Sequence, residues 1–402
     1  MELHKLTFRT FNNIAIALVI SAQYLSYVAK LYFGISAGLV TKIIFLSILI
    51  ELFIFLAKRR HTIEKGYFVA AIYILMFFAI SIVFFSRQAA QGYFVEFVIY
   101  AGFAILALTN EFDEYNILTF IMLNSILFLI SPSRFMHGGL LDVGYERLSM
   151  FSSYTLVPCL AAFIIHALLS PSRKTVHYVL YVTCAIESIY VLPTIGRGPL
   201  LVLITVLLVS LNQKMINKGQ RWSSKRRIII FLVVIAVFAC VMYYDSIIYI
   251  IDDLLIQSGH TVAAIHKIRI LVNQNNLLNF RENNWKYAME LITKYPIIGG
   301  GIGVYADVYG AWPHNIFLQM FDEMGLIGAL PLVVVVLFGI YKNVFLKYPE
   351  QVRENQKGLC LYILTFSLSI VRLMLSTYYW HLPEFWIFFF MTVHQMHMRR
   401  KE

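Results

Sequence analysis

The chain has 402 residues, of which 59% are hydrophobic and only 14% are charged, a composition that excludes a soluble globular protein of this length. Runs of about 18–20 apolar residues recur along it, and each is long enough to cross a bilayer as a helix. The formal net charge is +11. Because cytoplasmic loops of membrane proteins collect Lys and Arg, this charge indicates topology rather than a nucleic-acid partner. The sequence therefore predicts an all-α polytopic membrane protein.

The apolar runs predict about twelve spans within a single membrane domain, residues 1–402. In chain order they are centred near residues 20, 47, 75, 100, 123, 160, 185, 205, 236, 330, 367 and 390. If the N-terminus is cytoplasmic, so are the even-numbered connections and the C-terminus, which hold about 19 Lys and Arg. The short odd-numbered connections hold about five, and this bias predicts the orientation.

One connection is long: residues 245–313 separate spans nine and ten. As the ninth connection it has an odd number, so the predicted topology places it outside the cytoplasm. Long connections are usually functional. Residues 264–271 and 281–296 have helical patterning, and the second stretch has an apolar face typical of a helix on the membrane surface. The glycine-rich run 296–305 predicts a tight connection that returns the chain to the membrane.

Three residues fall on the same outer side, each at the predicted start of a helix: Arg197, Arg281 and His314. Pro199 and Pro313 favour helix starts, which direct unpaired N–H groups and a positive dipole end outward. Arginine forks match phosphate oxygens, so this placement predicts a cradle for a diphosphate. The field in a first helical turn disfavours a protonated histidine, and a neutral imidazole can act as a general base.

Each of these three residues also has a structural interpretation. Arg197 could snorkel to the interface, Arg281 could be a solvated loop charge, and His314 could be a capping or interfacial histidine. Taken singly the signals are weak, whereas their joint placement on one side of the membrane favours a functional site.

Further polar residues accompany this group. Asn315, Gln319 and Asp322 are spaced i, i+4 and i+7, which predicts either support for the histidine or hydrogen bonds between helices. Arg372 and Glu187 lie within spans, toward the outer half. Intramembrane charges are functional candidates, although these two could instead pair with each other.

The chain lacks several motifs of cofactor-dependent enzymes. It has no Walker loop, no DxD-like nucleotide-sugar site and no HExxH pair, and its four cysteines have no CxxC spacing. We therefore expect no nucleotide, metal or other cofactor.

The segment from Arg281 to Gly328 resembles the shared domain of bacterial O-antigen polymerases and O-antigen ligases. It carries R-x3-W at 281–285, KYPIIGGGIG at 294–303, then His314-Asn315, nine residues, and the GLIG run 325–328. GRGPLL at 196–201 resembles the first arginine motif of the same family. The resemblance covers roughly residues 180–340. Independently, the glycines at 325 and 328 predict close helix contact below the site.

The resemblance implies a GT-C-like helical membrane fold. It also implies transfer of a glycan from undecaprenyl diphosphate to a hydroxyl acceptor, on the periplasmic face of the bacterial inner membrane, without nucleotide or metal. Arg197 and Arg281 would then hold the diphosphate and stabilise it as the leaving group. His314 would orient or deprotonate the acceptor hydroxyl.

We expect a polymerase of lipid-linked repeat units, favoured by the helix that follows His314 and by the compact interval between Arg281 and His314. The first alternative is an O-antigen ligase, whose acceptor is the lipid A–core. The second is a flippase for the same lipid-linked oligosaccharide, although such transporters usually show repeat symmetry and mid-membrane charges. The expected partners are this undecaprenyl-diphosphate-linked oligosaccharide and membrane lipid, and a chain-length regulator is a compatible further partner.

Overall fold

The fold is that of a computed structural model, which describes most of the chain. The described residues are 2–34, 38–57, 63–137, 141–142, 147–148, 150–169, 174–217, 249–258, 263–273, 281–342 and 358–399. Nearly all of them are helical. Two strands of two residues each, Leu141–Asp142 and Arg147–Leu148, pair antiparallel and are a small exception to the predicted all-α fold.

Eleven helices make up the described part of the chain before the long loop. They are α1 (Glu2–Ile20), α2 (Ala22–Phe33), α3 (Leu39–Ala57), α4 (Lys65–Val83), α5 (Gln88–Thr109), α6 (Glu114–Met122), α7 (Asn124–Ile130), α8 (Pro132–His137), α9 (Met150–Leu169), α10 (Thr175–Val191) and α11 (Arg197–Asn217).

The described helices within the long loop are α12 (249–257), α13 (Ala263–Asn273), α14 (Arg281–Lys294) and α15 (Val304–Tyr309). Those after it are α16 (Ile316–Ile340), α17 (Leu359–Phe366), which continues as a π-helical turn Ser367–Val371, and α18 (Pro383–Arg399).

Five helices are long and apolar enough to cross a membrane: α3, α4, α5, α11 and α16. The pair α1 and α2, bent by 69°, adds a sixth candidate if it forms one span. Shorter apolar helices occur at Glu114–Ile130, Tyr154–Leu169, Thr175–Val191 and Leu359–Val371. The count of twelve spans and the GT-C-like arrangement stay predictions, and the span centred near 236 lies outside the described residues.

The surface of α3 and α4 shows why these segments are helices. They expose large apolar side chains, including Phe53 (63% exposed), Leu56 (80%) and Phe68 (63%). Apolar surface of this extent suits lipid rather than water. Since lipid offers no hydrogen bonds, a segment in it must satisfy its own backbone groups, as a helix does.

Contacts between distant segments gather one set of connections at one end of the bundle. Arg87, before α5, donates to the carbonyl of Gly300 at 2.7 Å. Asp307 accepts hydrogen bonds from the first two N–H groups of α5 at 3.1 and 2.9 Å. Arg281 donates to the carbonyl of Leu375, between α17 and α18. The third, ninth and eleventh predicted connections therefore meet.

The other connections meet elsewhere. Arg9 pairs with Asp113 at 2.7 Å, and Glu114 accepts a hydrogen bond of 2.6 Å from the first turn of α17. His394, near the C-terminus, pairs with Glu64 at 2.6 Å. The grouping matches the odd and even connections of the predicted topology. Which end faces outward stays a prediction.

A glycine loop, residues 296–303, is inserted into a break in α16. Gly325 is non-helical there, with φ 61° and ψ −168°. Two loop N–H groups donate to the carbonyls of Asp322 and Glu323 at 2.8 and 3.0 Å, and two N–H groups after the break donate back to loop carbonyls at 2.9 and 3.0 Å. The loop thus supplies hydrogen-bond partners for backbone groups that the break leaves without helical ones. The same four hydrogen bonds hold the loop against α16.

Glycine is required where these two segments touch. A Cβ at Gly299 would overlap the carbonyl of Glu323, and a Cβ at Gly325 would overlap the backbone of Gly299. A Cβ at Gly328 would lie 2.6 Å from the ring of Phe77 on α4. The predicted close helix contact is therefore confirmed for Gly328, whereas Gly325 contacts the loop.

Candidate functional site

The start of α16 differs from the prediction. The helix begins at Ile316 with Asn315 as its N-cap, and Asn315 Oδ1 accepts hydrogen bonds of 3.0 and 3.2 Å from two N–H groups of the first turn. The expectation that Pro313 starts the helix, with His314 in its first turn, is wrong. A capping asparagine satisfies two orphan N–H groups, which a start at Pro313 would leave without this cap.

The start of α11 also lies earlier than predicted. The helix begins at Arg197, so Pro199 occupies the third position rather than the first. Proline is tolerated there because the first N–H groups of a helix have no intrahelical partner. Arg197 consequently lies at the positive end of the helix rather than before it.

His314 has an unusual backbone and an unused polar atom. Its φ is 56°, a left-handed value that is uncommon for a residue other than glycine. Its ring is half-buried and lies edge-on to Trp312, with 5.7 Å between the ring centroids. Nδ1 is buried and has no hydrogen-bond partner within the described residues. Such strain and such an unpaired atom are typical of a ligand site.

The surroundings of His314 keep its imidazole neutral. Burial, and secondly the charge of Arg281, lower the pKa of His314 to about 4. The neutral form was expected from the field of a helix start, whereas the causes here are desolvation and a neighbouring cation. At neutral pH the ring can accept a proton.

Arg281 is the first residue of α14. Its Nη2 donates to the carbonyl of Leu375. Burial lowers its pKa, and the nearby Tyr154 acts in the opposite direction. No carboxylate among the described residues pairs with Arg281, so a bound anion would offset the cost of partly burying this cation.

Tyr154 on α9 joins the arginines into one group. The guanidinium of Arg372 stacks on its ring, 4.6 Å from the centroid. Gly198 lies so close that a Cβ there would be 2.5 Å from the Tyr154 hydroxyl, so the first turn of α11, which begins at Arg197, contacts Tyr154. Arg281 is within electrostatic range of Tyr154. The structure therefore brings Arg281 and Arg372 to Tyr154, and it packs the helix start that contains Arg197 against the same residue.

Arg372 and Glu187 do not pair with each other. The carboxylate close to Arg372 is Glu384, and Arg372 Nε is buried without a hydrogen-bond partner in the described part of the chain. Glu187 is fully buried beside Cys159 and Cys184, whose Sγ atoms are 4.0 Å apart. Arg372 thus belongs to the arginine group and Glu187 to a separate one.

Gln319 supports a different residue from the one expected. Its Nε2 donates to Glu323 Oε1 at 3.0 Å. Glu323 also accepts hydrogen bonds from the Tyr379 hydroxyl (2.7 Å), Trp380 Nε1 (3.0 Å) and the Gly303 N–H (3.2 Å). Four donors converge on one buried carboxylate, which joins α16, the glycine loop and the turn before α18. We call this arrangement the Glu323 hub.

Asp322 lies next to the hub but outside its hydrogen bonds. It is fully buried, and neither carboxylate oxygen has a hydrogen-bond partner within the described residues. The residues brought to His314 are therefore Arg281 and Trp312, whereas Asn315 caps α16 and Gln319 belongs to the hub. The sequence signal that could have pointed to the hub is the consecutive Asp322 and Glu323 inside a membrane helix.

The comparisons with known proteins give one match. Residues 180–333 match a family model described as O-antigen ligase, so the resemblance to the polymerase and ligase family is confirmed. No curated protein and no solved structure matches the chain. The matched region contains Arg197, Arg281 and His314, while Tyr154 and Arg372 lie outside it. Within the described residues, no group of three His, Cys, Asp or Glu side chains could hold a metal ion.

Proposed function

We propose that this member of the O-antigen ligase family transfers a glycan from undecaprenyl diphosphate to a hydroxyl, and that it polymerises lipid-linked repeat units. One observation carries the proposal: Arg281, Arg372 and the first turn of α11, which begins at Arg197, meet at Tyr154, and the charge of Arg281 acts on His314. A group of cations next to a neutral imidazole suits a diphosphate leaving group and a proton acceptor.

The arginines supply the electrostatic part of the reaction. Guanidinium forks bind phosphate oxygens through paired hydrogen bonds, and Arg197 adds the N–H groups of the first turn of α11. As the bond to the sugar breaks, negative charge accumulates on the diphosphate. Cations already fixed in a partly dry site stabilise that charge without reorganisation.

His314 supplies the proton acceptor. The acceptor oxygen bonds to the anomeric carbon of the donor, the bond from that carbon to the phosphate oxygen breaks, and its electron pair leaves with undecaprenyl diphosphate. The hydroxyl proton passes to His314. The bound diphosphate counteracts the repulsion from Arg281 and therefore raises the proton affinity of His314 when the donor is in place.

The proposed location follows from the donor. A polyprenyl lipid reaches the site from the bilayer, which fits a chain with several candidate spans. We propose the bacterial inner membrane, with both termini cytoplasmic and the site on the periplasmic face. In this mechanism neither a nucleotide nor a metal takes part, because the fixed cations serve the leaving group.

The preference for a polymerase over a ligase rests on the segment between Arg281 and His314. The interval between Arg281 and His314 contains only α14, the glycine loop and α15. This compactness favours a lipid-linked repeat unit as acceptor, with the lipid A–core as the alternative. Because the matched family model is described as O-antigen ligase, one experiment should test the polymerase and the ligase activity together.

The test is the glycan profile of cells that lack the protein. Loss of a polymerase leaves single repeat units on the core, whereas loss of a ligase leaves the core bare. Normal chain length on the few cores that carry repeats, with most cores empty, would contradict the polymerase. A flippase would instead leave lipid-linked single units on the cytoplasmic leaflet.

A further inference from the structure

A second polar cluster lies next to His314 and is not used by the mechanism above. Glu96 on α5 presents Oε1 to the Tyr378 hydroxyl at 3.2 Å and to His381 Nδ1 at 2.9 Å. The ring of Tyr378 stacks on Tyr93, with 4.9 Å between centroids. An ionisable residue within a candidate span is a functional candidate, and this one is partnered on one oxygen only.

Trp312 connects this cluster to the histidine. Its ring centroid lies 5.3 Å from that of Tyr378 and 5.7 Å from that of His314. Trp312 Nε1 is buried and has no hydrogen-bond partner in the described residues, and the same is true of Glu96 Oε2. Both residues contact Tyr378, and each therefore has one buried polar atom without a hydrogen-bond partner in the described residues: the N–H donor of Trp312 and one carboxylate oxygen of Glu96.

Glu384 connects the cluster to the arginines. It is close enough to interact electrostatically with both Arg372 and His381. The arginine group, His314 and the cluster around Glu96 are consequently linked through neighbouring groups. At one end of this series are fixed cations, and at the other are aromatic rings, a carboxylate and a histidine.

The two ends suit different chemical groups. Cations suit the diphosphate, as argued above. Half-exposed aromatic rings offer faces for the apolar C–H surface of a sugar, and a carboxylate oxygen and an indole N–H offer an acceptor and a donor to its hydroxyls. Unsatisfied buried polar atoms beside aromatic rings are typical of a site that a ligand completes.

We propose that Glu96, Trp312, Tyr378 and His381 form the subsite for the acceptor sugar, with Glu96 Oε2 and Trp312 Nε1 hydrogen-bonded to its hydroxyls. The sugar would lie against the rings of Trp312 and Tyr378, so that its reacting hydroxyl faces His314. This inference rests on the proposed function, since it assigns the second substrate of that reaction.

The structure also contains a matched control. Glu64 and His394 form another carboxylate–histidine pair, with 2.6 Å between Oε1 and Nδ1 and similar side-chain exposure, at the opposite end of the bundle. If a pair of this type only joins two segments, replacing either glutamate should affect stability alone. If the Glu96 pair binds sugar, only its replacement should affect the acceptor.

The experiment uses full-length protein in lipid nanodiscs, a lipid-linked donor and a water-soluble glycoside of one repeat unit as acceptor. Glu96→Gln and Trp312→Phe should each raise the acceptor KM about tenfold or more, because each removes a hydrogen bond in a desolvated site. Affinity for undecaprenyl diphosphate should stay within about twofold. Glu64→Gln should change neither quantity.

Unchanged acceptor KM in both Glu96→Gln and Trp312→Phe would overturn the subsite, and so would a loss of thermal stability alone. Failure of the proposed function would have a different result: the wild-type protein itself would transfer no glycan. In that event, saturation-transfer NMR of the glycoside still reports binding without turnover. Equal signals for wild type and Glu96→Gln would then overturn the subsite as well.

Discussion

The Glu323 hub and the arginine group differ in how their polar atoms are satisfied. Glu323 is buried and accepts four hydrogen bonds, one from each of four donors. Around Tyr154, Arg372 Nε is buried without a partner among the described residues, and the nearby His314 Nδ1 is equally unpaired. One region is saturated and the other is not.

This difference separates architecture from function. A saturated buried carboxylate stabilises one arrangement of the segments that it joins, and removing a partner leaves costly unpaired groups. A region with unpaired donors and a strained backbone is unfavourable by itself and gains most from a ligand. We therefore expect substitutions in the hub to change stability and substitutions in the arginine group to change turnover.

The largest expected effect is that of His314→Ala. Loss of a general base lowers the rate by about 10²–10⁴-fold, so the transfer rate of purified protein should fall by that factor. Thermal stability should change little, because the variant keeps the left-handed backbone and His314 Nδ1 makes no hydrogen bond within the described residues. His177→Ala, at the other end of the bundle, is the control. Wild-type rates in His314→Ala would show that the unsaturated region is not catalytic.

Glu323→Gln tests the other half of the comparison. The amide presents an N–H₂ group to donors that need an acceptor, which should cost about 2–4 kcal/mol of folding stability. The melting temperature of the detergent-solubilised protein should fall by several degrees. The remaining folded fraction should bind undecaprenyl diphosphate normally. A variant with unchanged melting temperature and lost binding would reverse the assignment of the two regions.

Arg197→Lys is expected to have an intermediate effect. Lysine keeps the charge but loses the planar fork, so donor affinity should fall about 10–100-fold, equivalent to one charge-assisted hydrogen bond. Isothermal titration with undecaprenyl diphosphate measures the change. An affinity equal to that of the wild type would indicate that Arg197 snorkels to the interface instead of binding phosphate.

The smallest expected effect concerns pH. Because the pKa of His314 is lowered to about 4, the base is already neutral in the free enzyme at pH 5.5 and loses function only as the pH falls toward 4. Between pH 7.5 and 5.5, kcat/KM should be constant, because the doubly esterified diphosphate of the donor stays fully ionised over this range and His314 stays neutral. An additional acid limb near pH 6.5 would contradict the burial of this histidine.

The sequence was informative where charge and topology act together. Arg197, Arg281, Arg372 and His314 were selected because a polar residue at a membrane surface or within a span is costly unless it is used. Topology alone predicted only that they share one side of the membrane. The structure adds that Arg281 acts on His314, that Arg372 stacks on Tyr154, and that the helix start at Arg197 packs against Tyr154.

The details that could not be predicted depend on contacts between distant segments. Nothing in the sequence distinguishes Tyr154 from other aromatic residues of membrane helices, because its proximity to Arg281 and Arg372 arises only in the fold. The helix begins at Ile316 because the side chain of Asn315 caps its first turn. The sequence offers both Pro313 and Asn315 as residues that favour a helix start, and their order in the chain does not show which one is used. The break at Gly325 requires the glycine loop, which is remote from it in sequence.

The proposed transfer is tested by its stoichiometry in nanodiscs that contain only the purified protein and undecaprenyl-diphosphate-linked repeat units. We expect one undecaprenyl diphosphate to be released for each new glycosidic bond, with products of two or more repeat units and without added nucleotide or metal. Folded wild-type protein that binds the donor but forms no longer glycan would contradict it.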